Sequence, residues 1–370
     1  MPTYTDFNKK LLSHNLFDTN NDFRRLIHVR IEPTEVCNFQ CKFCMTQDPD
    51  RLSSIKAKGY DASNRKFDLD RILSLLDELK SVGVEAISIV AVGEPLVYPG
   101  IDKVIDKAVK LGFKLGLTSN FSMAIKDDLL NNLLKFSWLR WSLNAGTNLT
   151  YQNTNNPKGK IRETAFEKSC ENISKLVSLK KEKKSSCEIN ASYVISQWNY
   201  FDVVNASKLC SELEIDSIFF RPDMLLIKDR SDTPHFILKE NEENLKKARK
   251  YQNNNFSVHY DVERDNDNLI TNNPNLVCFY SNHSIYIAAN GDVYPCCYTR
   301  IDKKYVIGNI VDKKFDVFWK EEKNANHYKD LNVNLCPSCP YNELNTVLDK
   351  IYKGENYNRD DVPKSKDYFV

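Results

Sequence analysis

Nothing in this 370-residue sequence is apolar over a length that spans a bilayer, and its polar start, MPTYTDFNKKLLSHNLF, lacks the core of a secretory signal. Those two absences point to a cytoplasmic protein with no membrane partner. Charge of one sign is missing too. Lys+Arg (52) nearly balance Asp+Glu (50), so no whole-molecule field draws the chain to nucleic acid. The basic run Lys180-Lys181-Glu182-Lys183-Lys184 reads as the solvated, dipole-complementing end of a helix rather than a phosphate patch. The six histidines form no close pair, and no internal repeat or low-complexity tract is evident. No Gly-rich phosphate fingerprint follows the first strand-like run, so a dinucleotide-binding domain has no support.

Cysteine is what the sequence does have. In a reducing compartment disulfides are disfavoured, so 11 cysteines point to metal binding or catalysis. Three fall at 37–44 and five between 278 and 339. Cys170, Cys187 and Cys210 are scattered through helix- or strand-like segments and read as small buried hydrophobes.

Between residues 28 and 223 short β-branched runs alternate with longer helical ones. The expected strands are His28–Val36, Ala86–Val92, Lys114–Ser119, Leu139–Leu143, Glu188–Ile195 and Ser217–Phe220. The expected helices are 67–81, 101–110, 126–134, 165–179 and 201–213. In the first of them Ile72, Leu75, Leu76 and Leu79 share a face, with Asp68 or Asp70 near its start. Six βα units imply an α/β fold of parallel strands with right-handed crossovers, either an open sheet or a barrel. The first cysteines follow the first strand directly, where a barrel places its chemistry. Beyond a polar break at 228–234 we expect a helix over 236–251 and an Asn/Asp-rich linker over 253–274. A β-hairpin follows, with a type I′ turn at Asn290-Gly291.

In Cys37-Asn38-Phe39-Gln40-Cys41-Lys42-Phe43-Cys44 three sulfurs can converge from one loop. A structural zinc site wants four closed ligands, and no fourth Cys or His is nearby. Three thiolates suit a [4Fe–4S] cube with one iron open. This C-x3-C-x2-C stretch, with an aromatic before its last Cys, resembles the radical S-adenosylmethionine (SAM) superfamily. The resemblance implies that SAM chelates the open iron through its amino and carboxylate groups. It further implies that SAM is cleaved to a 5′-deoxyadenosyl radical, which removes a substrate hydrogen. Further stretches fit in order. Val92-Gly93-Glu94-Pro95 resembles the family's Gly-Gly-Glu contact to the methionine amino group, with Val92 in place of the first Gly. Thr118-Ser119-Asn120 resembles Thr-Asn-Gly, and Ser142-Leu143-Asn144-Ala145-Gly146-Thr147 resembles Ser-Leu-Asp-Ala-Gly-Thr. By resemblance the cofactor-binding residues are Phe43, Gly93, Glu94, Pro95, Asn120, Ser142 and Asn144. Arg162 or Lys160 would then pair with the SAM carboxylate.

Cys278, Cys296, Cys336 and Cys339 form a second set, able by spacing alone to close around zinc or an iron–sulfur cube. The segment resembles the SPASM/twitch extension of the same superfamily, including Ile307-Gly308-Asn309-Ile310 and Phe318-Trp319. Five cysteines in place of a full SPASM domain's seven imply a single auxiliary [4Fe–4S] cluster, as in twitch-type aminocyclitol dehydrogenases. Cys297 is left over as an inert neighbour, an alternative ligand or a thiol hydrogen donor. The implied architecture is a partial (β/α)6 TIM-type barrel with a small C-terminal domain of β-hairpin and helix that binds the second cluster. Its expected parts are an N-terminal extension (1–27), the barrel (28–235), a helix and linker (236–275), the cluster domain (276–352) and a polar tail (353–370).

A fully ligated auxiliary cube cannot chelate substrate but can accept an electron, its potential being tunable over about −700 to +450 mV. The leading reading is therefore an oxidoreductase acting on a small polar molecule, sugar- or aminocyclitol-like, and fed by an external flavodoxin- or ferredoxin-type donor. The 36 residues before Cys37 are too few for a leader-peptide-binding domain, which counts against peptide modification without removing it. Two further readings are a redox-neutral epimerase using Cys297 and a non-enzymatic iron–sulfur or zinc protein. Arg221, ending the sixth strand, is expected to face the barrel mouth.

Overall fold

Alternation along the strands builds two different faces. The computed structural model describes residues 11–17, 22–57, 59–61, 63, 65–223, 235–260, 276–333, 336, 341–355 and 369, of which 235–241, 324 and 328 as backbone. Six strands carry the pattern: β1 (His28–Ile31), β2 (Ala86–Ile89), β3 (Lys114–Ser119), β4 (Trp138–Ser142), β5 (Glu188–Ile195) and β6 (Ser217–Pro222). Val29, Ile31, Ile87, Ile89, Leu115, Leu117, Leu139 and Trp141 belong to the main core. Their alternates, among them His28, Arg30, Ser88, Thr118, Arg140 and Asn190, line an interior cavity. Period-two pleating puts the two sets on opposite sides.

Helices cover the apolar face: α1 (Pro49–Lys56), α2 (Leu69–Ser81), α3 (Ile101–Lys110), α4 (Asp127–Leu133), α5 (Asn148–Thr154), α6 (Ala165–Lys183), α7 (Val203–Glu212) and α8 (His235–Ala248). In α2 the expected stripe Ile72, Leu75, Leu76 and Leu79 is buried, and Asp68 caps the helix by accepting from Arg71 N at 2.8 Å. The basic run ends α6 as expected, with Lys180 paired to Asp216 and Lys181 to Glu214.

The partial barrel gains two parallel strands, one from the expected linker and one from the expected hairpin, whose pairing with the barrel the sequence did not announce. β7 (Ser257–Tyr260) lies within the expected linker and pairs in parallel with β6. β8 (Ser284–Ile287) pairs in parallel with β1, and its hairpin partner β9 (Asp292–Tyr294) leads to β10 (Gly308–Asn309). The sheet runs β10-β9-β8-β1-β2-β3-β4-β5-β6-β7 and does not close. The C-terminal helices are α9 (Phe315–Ala325) and α10 (Asn342–Tyr352).

Two local expectations are corrected. β1 stops at Ile31 rather than Val36: Glu32 N still bonds Ile287 O at 2.9 Å, but Pro33 has no N–H to continue the ladder. The hairpin turn is not type I′. Gly291 has φ 78° while Asn290 is not left-handed, and Gly291 N bonds Ala288 O at 2.8 Å. That is an ordinary turn followed by a left-handed glycine, the longer hairpin connection.

Candidate active site

The first three cysteines lie half-buried on the loop between β1 and α1. Several elements hold that loop. Gln40 N and Lys42 N bond the carbonyls of Asn156 and Thr154, both at 3.0 Å, and Glu94 N bonds Val36 O at 2.8 Å. The approach at Gly93 is so close that a Cβ would sit 2.2 Å from Val36 O, so only glycine fits. Arg51 of α1 donates to Phe43 O at 2.7 Å and grips Asp223, just past β6, with two hydrogen bonds of 3.0 and 2.6 Å. Its guanidinium also lies 5.7 Å from the Trp198 ring, and Lys42 approaches the same ring.

Glu94 joins this loop to the next. Its carboxylate accepts from Ser119 Oγ and Asn120 N, both at 2.7 Å, and from Leu96 N at 3.0 Å. Asn120 Nδ2 donates in turn to Asn38 Oδ1 at 2.9 Å. Glu94 is 3 % exposed and burial raises its pKa, which these three donors oppose. Pro95 starts the short helical turn that Glu94 caps.

Burial, followed by Glu94 and Cys44, pushes the Cys37 thiol up to about 12; burial and its two cysteine neighbours also push the Cys41 thiol well up. Thiols packed this way ionise beside a metal cation. Among the described residues no three His, Cys, Asp or Glu side chains close on one ion. Three thiols spread along a loop suit separate irons of one cube.

The resemblance-derived SAM contacts divide. Ser142 ends β4 half-buried. Asn144 is instead tied into the fold: it sits at φ 54°, its Oδ1 accepts from Val194 N at 2.8 Å, and its carbonyl accepts from Asn199. Arg162 lies exposed and donates to Asn156 Oδ1, and Lys160 is exposed beside it. The base nearest the thiols is Lys158, which reasoning from sequence missed. It donates to Cys37 O at 3.2 Å and Gln47 Oε1 at 3.1 Å, and its charge counters that of Cys37 and Cys41.

The second set assembles from distant segments. A bridge between Val277 and Asn332 brings Cys278 beside the stretch carrying Cys336. The hairpin delivers Cys296 two residues after β9. Cys278 and Cys296 are buried, Cys336 is half-buried, and the three interact electrostatically in a chain. Burial first, then the neighbouring cysteines (for Cys296, Cys297 ahead of Cys278), pushes their thiols up to about 12, 12 and 11. This donor set fits a thiolate-bound cube; Cys339 lies outside the described residues. Cys170 is partly buried and Cys187 and Cys210 are fully so, as inert core cysteines are.

The barrel interior holds a cavity of about 400 Å³. Its lining includes Arg30, Arg140, Arg221, Arg300, Asn190 and Cys297. Phe369 meets Trp138 and His28 edge-on, at 5.2 and 5.5 Å, at the N-terminal ends of β4 and β1. The Tyr286 hydroxyl donates to Glu32, whose carboxyl is raised to about 7, chiefly by burial. Tyr341 stacks on Tyr280 at 3.8 Å, and Tyr280 accepts from Arg30.

Known proteins match parts of this chain. Residues 31–187 match the radical SAM superfamily model, and residues 278–340 match that of the SPASM iron–sulfur cluster-binding domain. An S-adenosylmethionine-dependent nucleotide dehydratase of Flammeovirga pacifica is 32% identical over 117 residues, 31% of this chain and 38% of the relative. A GTP 3′,8-cyclase of Clostridium acetobutylicum is 34% identical over 88 residues, 24% of each chain. The chain thus spans well under half the length of these relatives. Among solved structures, Streptococcus suis SuiB bound to precursor peptide SuiA superposes with TM-score 0.56 at 18% identity, over 80% of this chain and 65% of SuiB. The protein anSMEcpe with bound AdoMet and peptide gives 0.54 at 15% identity, over 82% of both chains. At such identities these two likenesses speak for the fold. No helix among the described residues is long and apolar enough to cross a membrane. With its two thiolate sets, the chain belongs to the radical SAM superfamily and carries a C-terminal SPASM-type domain, its cofactors being SAM, a SAM-binding [4Fe–4S] cluster and an auxiliary [4Fe–4S] cluster.

Proposed function

We propose that the protein is a cytoplasmic oxidoreductase that removes a hydrogen atom from a small polar molecule in the barrel cavity, the remaining electron leaving through the auxiliary cluster. The carrying observation is the hairpin end: Cys296 belongs to the second thiolate set and the adjacent Cys297 lines the cavity. When bound, SAM with the first cluster supplies a hydrogen-abstracting carbon radical, and the second cluster supplies a one-electron acceptor.

The chain's residues do the rest. Cys37, Cys41 and Cys44 hold the first cluster, while Arg51, Asp223 and the Glu94 network fix its loop. Gly93, Ser142 and Lys158 would contact SAM. Cys278, Cys296, Cys336 and Cys339 hold the second cluster. Phe369 and Trp138 meet edge-on at the cavity's base. As a substrate alcohol becomes a carbonyl, its hydroxyl proton passes by Tyr286 to Glu32, the group suited to take it near neutral pH. A flavodoxin- or ferredoxin-type donor supplies the starting electron. The nucleotide substrates named for both curated relatives are small polar molecules, in keeping with this reading.

Cys297 supports a second reading, a redox-neutral epimerase in which its thiol returns a hydrogen; the peptide-bound fold relatives keep peptide substrates as a third. Anaerobic turnover with site-deuterated candidates separates them. Oxidation predicts deuterium in 5′-deoxyadenosine and a product two electrons more oxidised. A product of unchanged oxidation level carrying solvent deuterium would overturn oxidation in favour of epimerisation.

A further inference from the structure

We infer that the face formed by Leu149, Phe201 and the basic stretch 158–162 is where the one-electron donor docks, and that this donor is a carrier protein with an acidic face. The inference rests on the proposed flavodoxin- or ferredoxin-type donor and is independent of what the cavity binds. Two stretches supply the charge. Residues 37–47 and 148–162 together hold four bases, Lys42, Lys158, Lys160 and Arg162, and no acidic residue; acids resume only at Asp48 and Glu163. The two stretches are laced together. Lys158 N bonds Asn38 O at 2.9 Å and Gln40 N bonds Asn156 O at 3.0 Å, with a bridge between Phe39 and Pro157. Ile161 packs against the same small apolar cluster as Cys37 and Cys41, while Lys158, Lys160 and Arg162 around it are exposed. One turn of chain therefore adjoins the thiol loop on its inner side and solvent on its outer side.

Apolar anchors stand beside this charge. Leu149 and Phe201 are 72% and 57% exposed, more than any other large hydrophobic side chain among the described residues. They sit on adjoining loops. Asp202, next to Phe201, accepts from Gly146 N at 2.6 Å and Thr147 N at 3.0 Å, and a Cβ on Gly146 would stand 2.2 Å from Ala206 N. Leu149 opens α5, which runs directly into the basic stretch. Trp198 ties the second loop to the first: its carbonyl accepts from Thr154 Oγ1 at 3.3 Å, and the Lys42 ammonium lies 5.9 Å from its ring. Exposed apolar side chains gathered on one face, with charge around them, mark an interaction surface. Transient redox complexes are small, below about 1,200 Å² of buried surface, and rely on charge steering around a few apolar contacts. An acidic carrier meets the four bases and brings its cofactor over the loop of Cys37, Cys41 and Cys44, where the electron is needed. For a flavodoxin, the anionic hydroquinone becomes the neutral semiquinone by losing one electron, the oxidised first cluster gains it, and no proton moves.

The test is anaerobic 5′-deoxyadenosine formation by the reconstituted enzyme, driven in turn by flavodoxin hydroquinone, by reduced bacterial ferredoxin and by dithionite. Phe201→Glu and Leu149→Glu should each raise the carrier concentration giving half the maximal rate at least about tenfold, and leave the dithionite-driven rate unchanged. Phe201→Tyr should behave as the unaltered protein. The carrier-driven rate should also fall several-fold between about 50 and about 300 mM salt, as screening weakens the steering. Iron content and melting temperature report folding, and variants on two loops keep the test alive if one fails to fold. A half-maximal concentration unchanged in both folded variants would overturn the inference. So would an equal loss with carrier and with dithionite, which marks a structural effect, or a dimer that Phe201→Glu dissolves, which assigns the face to a second copy of the chain. Cleavage with dithionite but with neither carrier would overturn the donor and its surface together. Because deoxyadenosine is counted rather than product, failure of the oxidation reading leaves this result standing.

Discussion

The two cysteine sets differ in how much chain each one needs. Cys37, Cys41 and Cys44 sit within eight residues of a single loop, so their spacing is itself the site. Cys278, Cys296 and Cys336 come from separate segments, joined by a hairpin and by the Val277–Asn332 bridge. A local set leaves one iron open and tells its chemistry from sequence. A dispersed set closes only once the fold around it has formed. The first should therefore depend on its loop and the second on the folding of its whole domain.

The largest expected effect tests the open site. Cys41→Ser should lower SAM cleavage at least about a thousandfold, as measured by 5′-deoxyadenosine formation with dithionite, because an open cube needs all three thiolates. Cys336→Ser should sharpen the contrast: SAM cleavage continues while product formation falls about a hundredfold, uncoupling the two. Equal loss of both in this variant would erase the functional difference between the sets. Gly93→Ala should lower SAM cleavage about tenfold or more, since its Cβ would collide with the cluster loop 2.2 Å away.

Two pH predictions probe the dispersed side. His283, at the entry to β8, is buried, its Nδ1 bonded to Arg25 O, and its pKa is lowered to about 4 by burial. Below its unfolded value near 6.5 the unfolded chain binds the extra proton, so stability is full above pH 6.5 and is lost as pH falls toward 4. The loss should reach about 3 kcal/mol in denaturant melts and vanish in His283→Gln. Glu32, raised to about 7, becomes the proton-accepting carboxylate as pH rises through that value. Turnover should climb across it, and Glu32→Gln should give a lower, flatter profile by a few-fold.

Legibility followed locality. The α2 stripe and the first cysteine loop were readable because each depends on neighbours in sequence; the tight approach of Gly93 to Val36, distant in sequence, was not. β7 was not, because SVHY alternates without a strongly apolar face and gains its place only by pairing with β6. Lys158 was passed over for Lys160 and Arg162, since the left-handed Gly159 turns the chain between them and no spacing rule announces which side faces the thiols. The cavity did leave a signal: a charged or polar residue at alternate positions of β1, β4 and β6, where a packed barrel would place aliphatics. Reading inward and outward positions separately would have revealed a basic interior.

Metal content most directly tests the claim of one open and one closed cube. The anaerobically reconstituted chain should hold about eight irons and matching sulfide, and the Cys37→Ala/Cys41→Ala/Cys44→Ala variant about four. SAM should change the electron paramagnetic resonance signal of the first protein alone. Zinc at the second set, or about four irons in both proteins, would contradict the account.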